Sequence, residues 1–168
     1  MSTSVNIRPA RIRDVPEIKT LVDHYAGKVV LGKELVTLYE DVQEFWVAET
    51  GGRIVGCGAL HVLWEDLAEI RTVAVDPLSH GMGIGHALVD HLIACARELG
   101  LARLFVLTFE TGFFGRHGFL PIRDTPVPPE IYDEIRRSPD EGVAQFLDLP
   151  YVKPNTLGNT RMLLRLTA

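Results

Sequence analysis

The chain has little that could staple it together. Only Cys57 and Cys95 are cysteines among its 168 residues, one in a stretch of strand character and one in a helical stretch. That excludes a disulfide framework and predicts two reduced thiols in a cytoplasmic protein. A surplus of positive charge is also missing: 17 Lys and Arg stand against 22 Asp and Glu, a formal net charge of −5. No general field therefore draws the chain to nucleic acid or to an anionic membrane, although local basic pockets are allowed. No signal-like segment or long uninterrupted apolar run occurs, so no membrane span is expected. The six histidines lack ligand spacing, since His86 and His91 lie five apart and do not share a helix face as an i, i+4 pair would. No metal site is expected.

What the chain does have is apolar mass, 46% of residues, enough for one core and one domain over residues 1–168. Rough alternation from Val5 to Arg11 predicts a strand, and Asp14-Val15-Pro16-Glu17 offers an N-cap carboxylate with Glu three positions on. The helix that follows carries Ile18, Leu21, Val22 and Tyr25 on one stripe and runs into Gly27. Phe45–Glu49 and Arg53–Leu63 are strands around a Gly51-Gly52 hairpin turn. Trp64-Glu65-Asp66 turns the chain again into a strand at Ile70–Val75, which Asp76-Pro77 ends.

From Gly83 to Leu99 an amphipathic helix is capped by Gly100, and the nearly all-apolar Arg103–Thr108 predicts a strand covered on both faces after a helical crossover. A short helix, an amphipathic segment around Pro129–Arg136 and a last strand near Arg161–Leu166 complete an α+β domain with one mixed sheet.

The segment His80-Gly81-Met82-Gly83-Ile84-Gly85-His86 joins a strand end to the start of the most regular helix. Three alternating glycines let the backbone approach a ligand, and the unpaired N–H groups and dipole of a helix N-terminus favour phosphate. The glycines alone suit a tight surface loop equally well. A dinucleotide-binding Gly-x-Gly-x-x-Gly register would need glycine at His86 or Leu88, and no Gly-Lys-Ser/Thr follows for a P-loop.

With its surroundings this segment resembles the acetyl-CoA-binding motif of the GNAT (GCN5-related N-acetyltransferase) family, Gln/Arg-x-x-Gly-x-Gly/Ala, written here His80-x-x-Gly83-x-Gly85. A second family signature is matched downstream by Phe114-Gly115-Arg116-His117-Gly118-Phe119. The resemblance covers nearly all of residues 5–166. It implies a mostly antiparallel sheet, flanked by helices, whose middle strands splay, with the pantetheine arm lying in the gap on the backbone of Val73 and Val75. It further implies cofactor contacts from His80, Gly81, Met82, Gly83, Ile84, Gly85, His86, Ala87, Phe113, Phe114 and Arg116. Acetyl-CoA is the implied cosubstrate.

A peptide-like α-amine has a pKa of about 7.7–8.0, so roughly a tenth is neutral at pH 7 and a general base is useful. Glu69 holds the place of the family's base. The family's usual tyrosine acid is replaced by Phe114, and a thiol with pKa near 8.5 can leave as thiolate or take its proton from water. Within the family the chain resembles the acetyltransferase domain of N-acetylglutamate synthases in the short stand-alone form of actinobacteria, through Leu35-Val36-Thr37-Leu38-Tyr39, Gln43–Glu49, Arg103–Thr108, Thr111–Phe114 and Tyr151–Asn155.

That branch implies acetylation of the α-amine of glutamate, or of glutamine, as the first step of arginine biosynthesis. Lys33, Arg71, Thr72, Lys153 and Arg161 are the implied acceptor-side residues, guanidinium suiting bidentate carboxylate recognition. Another small amine, a protein N-terminus, or a non-catalytic acyl-CoA-binding module are the rival readings. A small-molecule substrate is the expected partner, with a homodimer allowed.

Overall fold

The computed structural model describes residues 4–25, 33–140, 143 and 159–166. Tyr151–Asn155 with Lys153, and Gly27, lie outside the described residues. The elements run β1 (Asn6–Pro9), α1 (Val15–Tyr25), α2 (Leu35–Glu40), β2 (Phe45–Thr50), β3 (Arg53–Trp64), β4 (Leu67–Val75), α3 (Ile84–Glu98), β5 (Arg103–Thr108), α4 (Thr111–Gly115), β6 (Leu120–Pro121), α5 (Pro129–Ile135) and β7 (Thr160–Arg165). One seven-stranded sheet has the order β1-β2-β3-β4-β5-β7-β6, with β4 and β5 parallel and every other pair antiparallel. This is the mixed, mostly antiparallel α+β sheet expected. Gly51 and Gly52 take φ of 55° and 77° at the β2–β3 turn, the positive values that a tight hairpin requires.

Helix α3 packs closely on one sheet face. A Cβ at Gly56 would stand 3.0 Å from Ile84 and Leu88 side-chain atoms, and one at Gly58 3.0 Å from Leu92, so two glycines of β3 set how near the helix can lie. Its C-terminus closes with Gly100 N–H on the Arg97 carbonyl and Leu101 N–H on the Ala96 carbonyl, Gly100 having φ 85°. That paired pattern is a Schellman cap. Leu60, Ala68, Ile70, Val89, Leu92, Leu104, Val106 and Phe114 form the core on this face. The opposite face carries two separate apolar clusters, one of α1 and α2 on β2–β4 (Val15, Ile18, Leu38, Phe45, Ala59) and one of α5 on β3, β5 and β7 (Leu63, Phe105, Ile135, Leu163).

Asp14 is not the cap of α1. A 3₁₀ turn over Ile12–Asp14 precedes the helix, and the carboxylate turns back to accept from Arg11 N–H at 2.7 Å and from both Arg8 terminal nitrogens at 2.7 and 3.0 Å. Arg8, on the neighbouring strand β1, supplies a stronger partner than a helix N–H. Its hydrogen bonds hold the Asp14 pKa below the usual carboxylate range. Asp14 is 3% exposed, so Arg8→Ala strands a buried charge and costs about 3 kcal/mol of stability at pH 7. A carboxylate with a depressed folded pKa contributes stability above its unfolded pKa of about 3.9 and loses it as pH falls through the folded value. In urea melts the deficit of Arg8→Ala is expected to be full at pH 7 and to shrink as the pH falls, first as the stranded Asp14 of the variant takes up a proton and last as the parent's Asp14 does.

Candidate active site

Strands β4 and β5 pair at only three positions, Leu67↔Arg103, Ala68↔Leu104 and Glu69↔Phe105. Beyond them the strands part, and a cleft of about 370 Å³ opens, lined by Ile70–Val75 on one side and Val106–Glu110 on the other, with Tyr25, His80, Gly85, Phe113 and Phe114 closing it. The β3–β4 register shifts between Cys57↔Ala74 and Ala59↔Arg71, a bulge that bends β4 away from β5. At its centre Thr72 has φ 59°, the one positive φ outside glycine among the described residues.

The Thr72 carbonyl accepts from the Cys57 thiol at 3.4 Å, on the β3 side and inside the core. In a trans peptide the N–H points opposite to the carbonyl. The N–H of Val73 is thereby turned away from the Cys57 sulfur, and Val73 lines the cleft.

The glycine loop stands at one end of this cleft. Gly81 and Gly83 have φ of 82° and 74°, and Gly83 is the N-cap of α3 with no side-chain hydrogen bond completing the cap. Gly81, Met82 and Gly83 are exposed, so the first N–H groups of a 15-residue helix face open space. Ile84 contributes only its amide, because its side chain is buried against Ala48, Val55 and Leu88. Ala87 is half-buried in the first turn. Phe113 lies flat against this turn: a Cβ on Gly85 would be 3.3 Å from its ring, and its centroid is 4.4 Å from that of His86.

The two histidines of the loop are already engaged. His80 Nε2 is 2.8 Å from the Tyr25 hydroxyl, which donates to the Val75 carbonyl at 2.6 Å. His86 Nδ1 meets His117 Nε2 at 2.8 Å, and Asp90 holds the other His117 nitrogen at 3.0 Å. Phe114 points into the core against Phe119, while Arg116 is exposed at the end of α4.

On the face carrying two apolar clusters, a polar seam runs between them. Glu69 and Arg71 of β4 are two apart and share that face, and register places His61 opposite Glu69 and the small Ala59 opposite Arg71. Arg71 Nε donates to Glu69 at 2.6 Å, and its Nη1 donates to both oxygens of Asp140, at 2.9 and 3.1 Å. Arg71 Nη2 is buried with no hydrogen-bond partner among the described residues. His61 is hydrogen bonded to Glu44, Lys33 lies near Asp41, and Arg161 places its guanidinium 5.4 Å above the Phe105 ring.

The two carboxylates on Arg71 are driven apart. Burial raises the pKa of Glu69, which is 6% exposed, and outweighs the opposing pull of Arg71 and His61. For Asp140 burial acts in the same direction, but Arg71 and the Val143 N–H outweigh it and lower the pKa. One group is suited to exchanging a proton and the other to holding a fixed charge.

Of the residues singled out from sequence, the fold brings Glu69, Arg71, Thr72, Val73 and Val75 to one strand, the loop residues to its end, and Lys33 and Arg161 to the flanks of the seam. Tyr25, His61, Glu44, Cys57 and Asp140 were not singled out for a role. Tyr25 carried only its place on an apolar stripe, and the position of His61 depends on strand register. Asp140 follows a proline-rich, acidic stretch that carries no motif.

Comparison with known proteins bears on this arrangement. Residues 17–119 match the model of the Acetyltransferase (GNAT) family. The chain is 68% identical over 161 residues to an amino-acid acetyltransferase of Mycobacterium tuberculosis, covering 94% of this chain and 92% of that one. It resembles a crystal structure of a Mycobacterium tuberculosis protein in complex with CoA, with a TM-score of 0.94, 67% identity and coverage of 96% and 99% of the two chains. It also resembles N-acetylglutamate synthase of Neisseria gonorrhoeae complexed with coenzyme A and N-acetyl-glutamate, at TM-score 0.78 and 27% identity, over 100% of this chain and 36% of that chain.

Proposed function

Because the chain belongs to the GNAT acetyltransferase family, we propose that it moves the acetyl group of acetyl-CoA to the α-amine of L-glutamate or L-glutamine, opening arginine biosynthesis. The observation that carries the reading is the cleft between β4 and β5, with the glycine loop at one end and a buried carboxylate of raised pKa near the other. The amides of the loop and of the first turn of α3 grip the pyrophosphate, and the pantetheine arm enters the gap beside Val73 and Val75. Phe113 packs along its side.

At the thioester, the Val73 N–H faces the carbonyl oxygen that gains charge as the tetrahedral intermediate forms. Glu69 takes the proton of the attacking amine, and the CoA sulfur departs as thiolate, since Phe114 has no proton to give. Arg71 Nη2, Lys33, Thr72, Arg161 and Lys153 are the groups assigned to the acceptor carboxylates, and Asp140 keeps Arg71 oriented.

Thiol release measured with acetyl-CoA against the free amino acids tests this reading. Turnover is expected to be confined to glutamate and glutamine. Turnover only with other amines or peptide N-termini would reassign the acceptor, and CoA binding without any turnover would make the protein an acyl-CoA-binding module.

A further inference from the structure

A threonine in the left-handed region is unusual. β-Branched residues avoid positive φ because Cβ and its substituents crowd the backbone, yet Thr72 adopts φ 59° at the centre of β4, in the wall of the cleft. Such strain persists only where neighbours over-determine it. The neighbour here is Cys57, wholly buried, whose thiol donates to the Thr72 carbonyl at 3.4 Å from the adjacent strand. Burial pushes the Cys57 pKa up to about 12, against the pull of the Ala74 N–H, so the sulfur keeps its proton and remains a donor throughout the working pH range. Should the bond be lost, the Thr72–Val73 peptide relaxes by rotating. Rotation would swing the carbonyl into the cleft and remove the Val73 N–H from it.

We propose that Cys57 is a positioning residue for acetyl transfer: its buried thiol latches the strained Thr72–Val73 peptide in the orientation that presents the Val73 N–H to the thioester carbonyl. This rests on the acetyl-transfer reading, because the presented N–H acts on the oxygen of acetyl-CoA. Cys57 itself touches neither cosubstrate nor acceptor. Its nucleophilicity is not used, which accords with a thiol sealed in the core.

Four variants test the latch: Cys57→Ala, Cys57→Ser, Thr72→Gly and the double change Cys57→Ala with Thr72→Gly. Cys57→Ala is expected to lower kcat by on the order of 10²-fold, the effect of losing one oxyanion donor, with KM for acetyl-CoA changed far less. Cys57→Ser, which keeps a donor, recovers part of the loss. Thr72→Gly alone sets the cost of removing the Thr72 side chain from the acceptor site, and because glycine accepts positive φ without strain, adding Cys57→Ala to it is expected to lower kcat by no more than about a few-fold further, although the cavity left by the sulfur is still there. A merely structural role for Cys57 would cost as much in the Thr72→Gly background as in the parent; that result, or a Cys57→Ala enzyme as fast as the parent, overturns the proposal.

Crystal structures of Cys57→Ala and of the double variant read the latch without turnover. Thr72 is expected to leave positive φ in Cys57→Ala and to keep it in the double variant. Retention of φ near 59° in Cys57→Ala defeats the latch even if the parent proves to transfer no acetyl group, whereas an inactive parent whose Thr72 does relax defeats only the acetyl-transfer reading.

Discussion

Replacing Gly83 with aspartate is expected to abolish measurable binding of acetyl-CoA while leaving the fold intact. Gly83 is the N-cap of α3, and a Cβ placed on it meets no atom within 4 Å, so the protein has room for the side chain. Aspartate tolerates the left-handed region, here φ 74°, better than most residues, so the strain should cost about 1 kcal/mol of stability without unfolding the protein. What changes is charge. A carboxylate about 4 Å from a phosphate oxygen, at the effective dielectric of a protein surface, costs about 4 kcal/mol, a factor of several hundred or more in Kd.

Gly83→Asn separates charge from shape, since asparagine has the same size, the same tolerance of positive φ and no charge. Calorimetry should show it within about tenfold of the parent, the loss expected of a modest steric change worth about 1.4 kcal/mol. Equal losses from both substitutions would mean that bulk matters rather than charge. Binding by Gly83→Asp within a few-fold of the parent would place the pyrophosphate elsewhere.

The second large effect is kinetic. Glu69→Gln is expected to lower kcat at neutral pH by about 10²–10⁴-fold, the usual contribution of a general base, with little change in the Kd for acetyl-CoA. Glutamine keeps an oxygen for Arg71 Nε, and Asp140 keeps the other end of the guanidinium, so the site should retain its geometry. The parent's activity should climb with pH through a Glu69 pKa that burial has raised above the ordinary carboxylate range. Below that pKa the carboxyl is protonated and cannot accept; above it the base is available. The variant loses this limb and regains rate only as the amine deprotonates in solution, so the gap between the two enzymes narrows at high pH. An unchanged pH profile in Glu69→Gln would mean that another group takes the proton.

Much of this site was legible because it is local in the chain. The glycine loop, the helix it opens and the strand before it lie within residues 70–98, and each feature there depends on neighbours a few positions away: positive φ at glycines, an apolar stripe, a Schellman cap at Gly100. The splayed strands and Glu69 came from resemblance to a family rather than from pattern. The Asp14 reading failed for an instructive reason. Spacing marked a helix cap, but Arg8, six positions earlier and on a strand, is the stronger partner for a buried carboxylate.

Composition, periodicity and turn chemistry by themselves determined that the chain is a single α+β fold with a phosphate-suited helix start, because those properties follow from forces acting over one or two turns of chain. Only the tertiary structure decided that Arg71 is shared between Glu69 and an aspartate 69 residues away, that His61 faces Glu69, and that Cys57 holds the Thr72 peptide. Those meetings depend on strand register and on which apolar clusters cover the sheet, and a shift of one residue would turn each side chain to the opposite face.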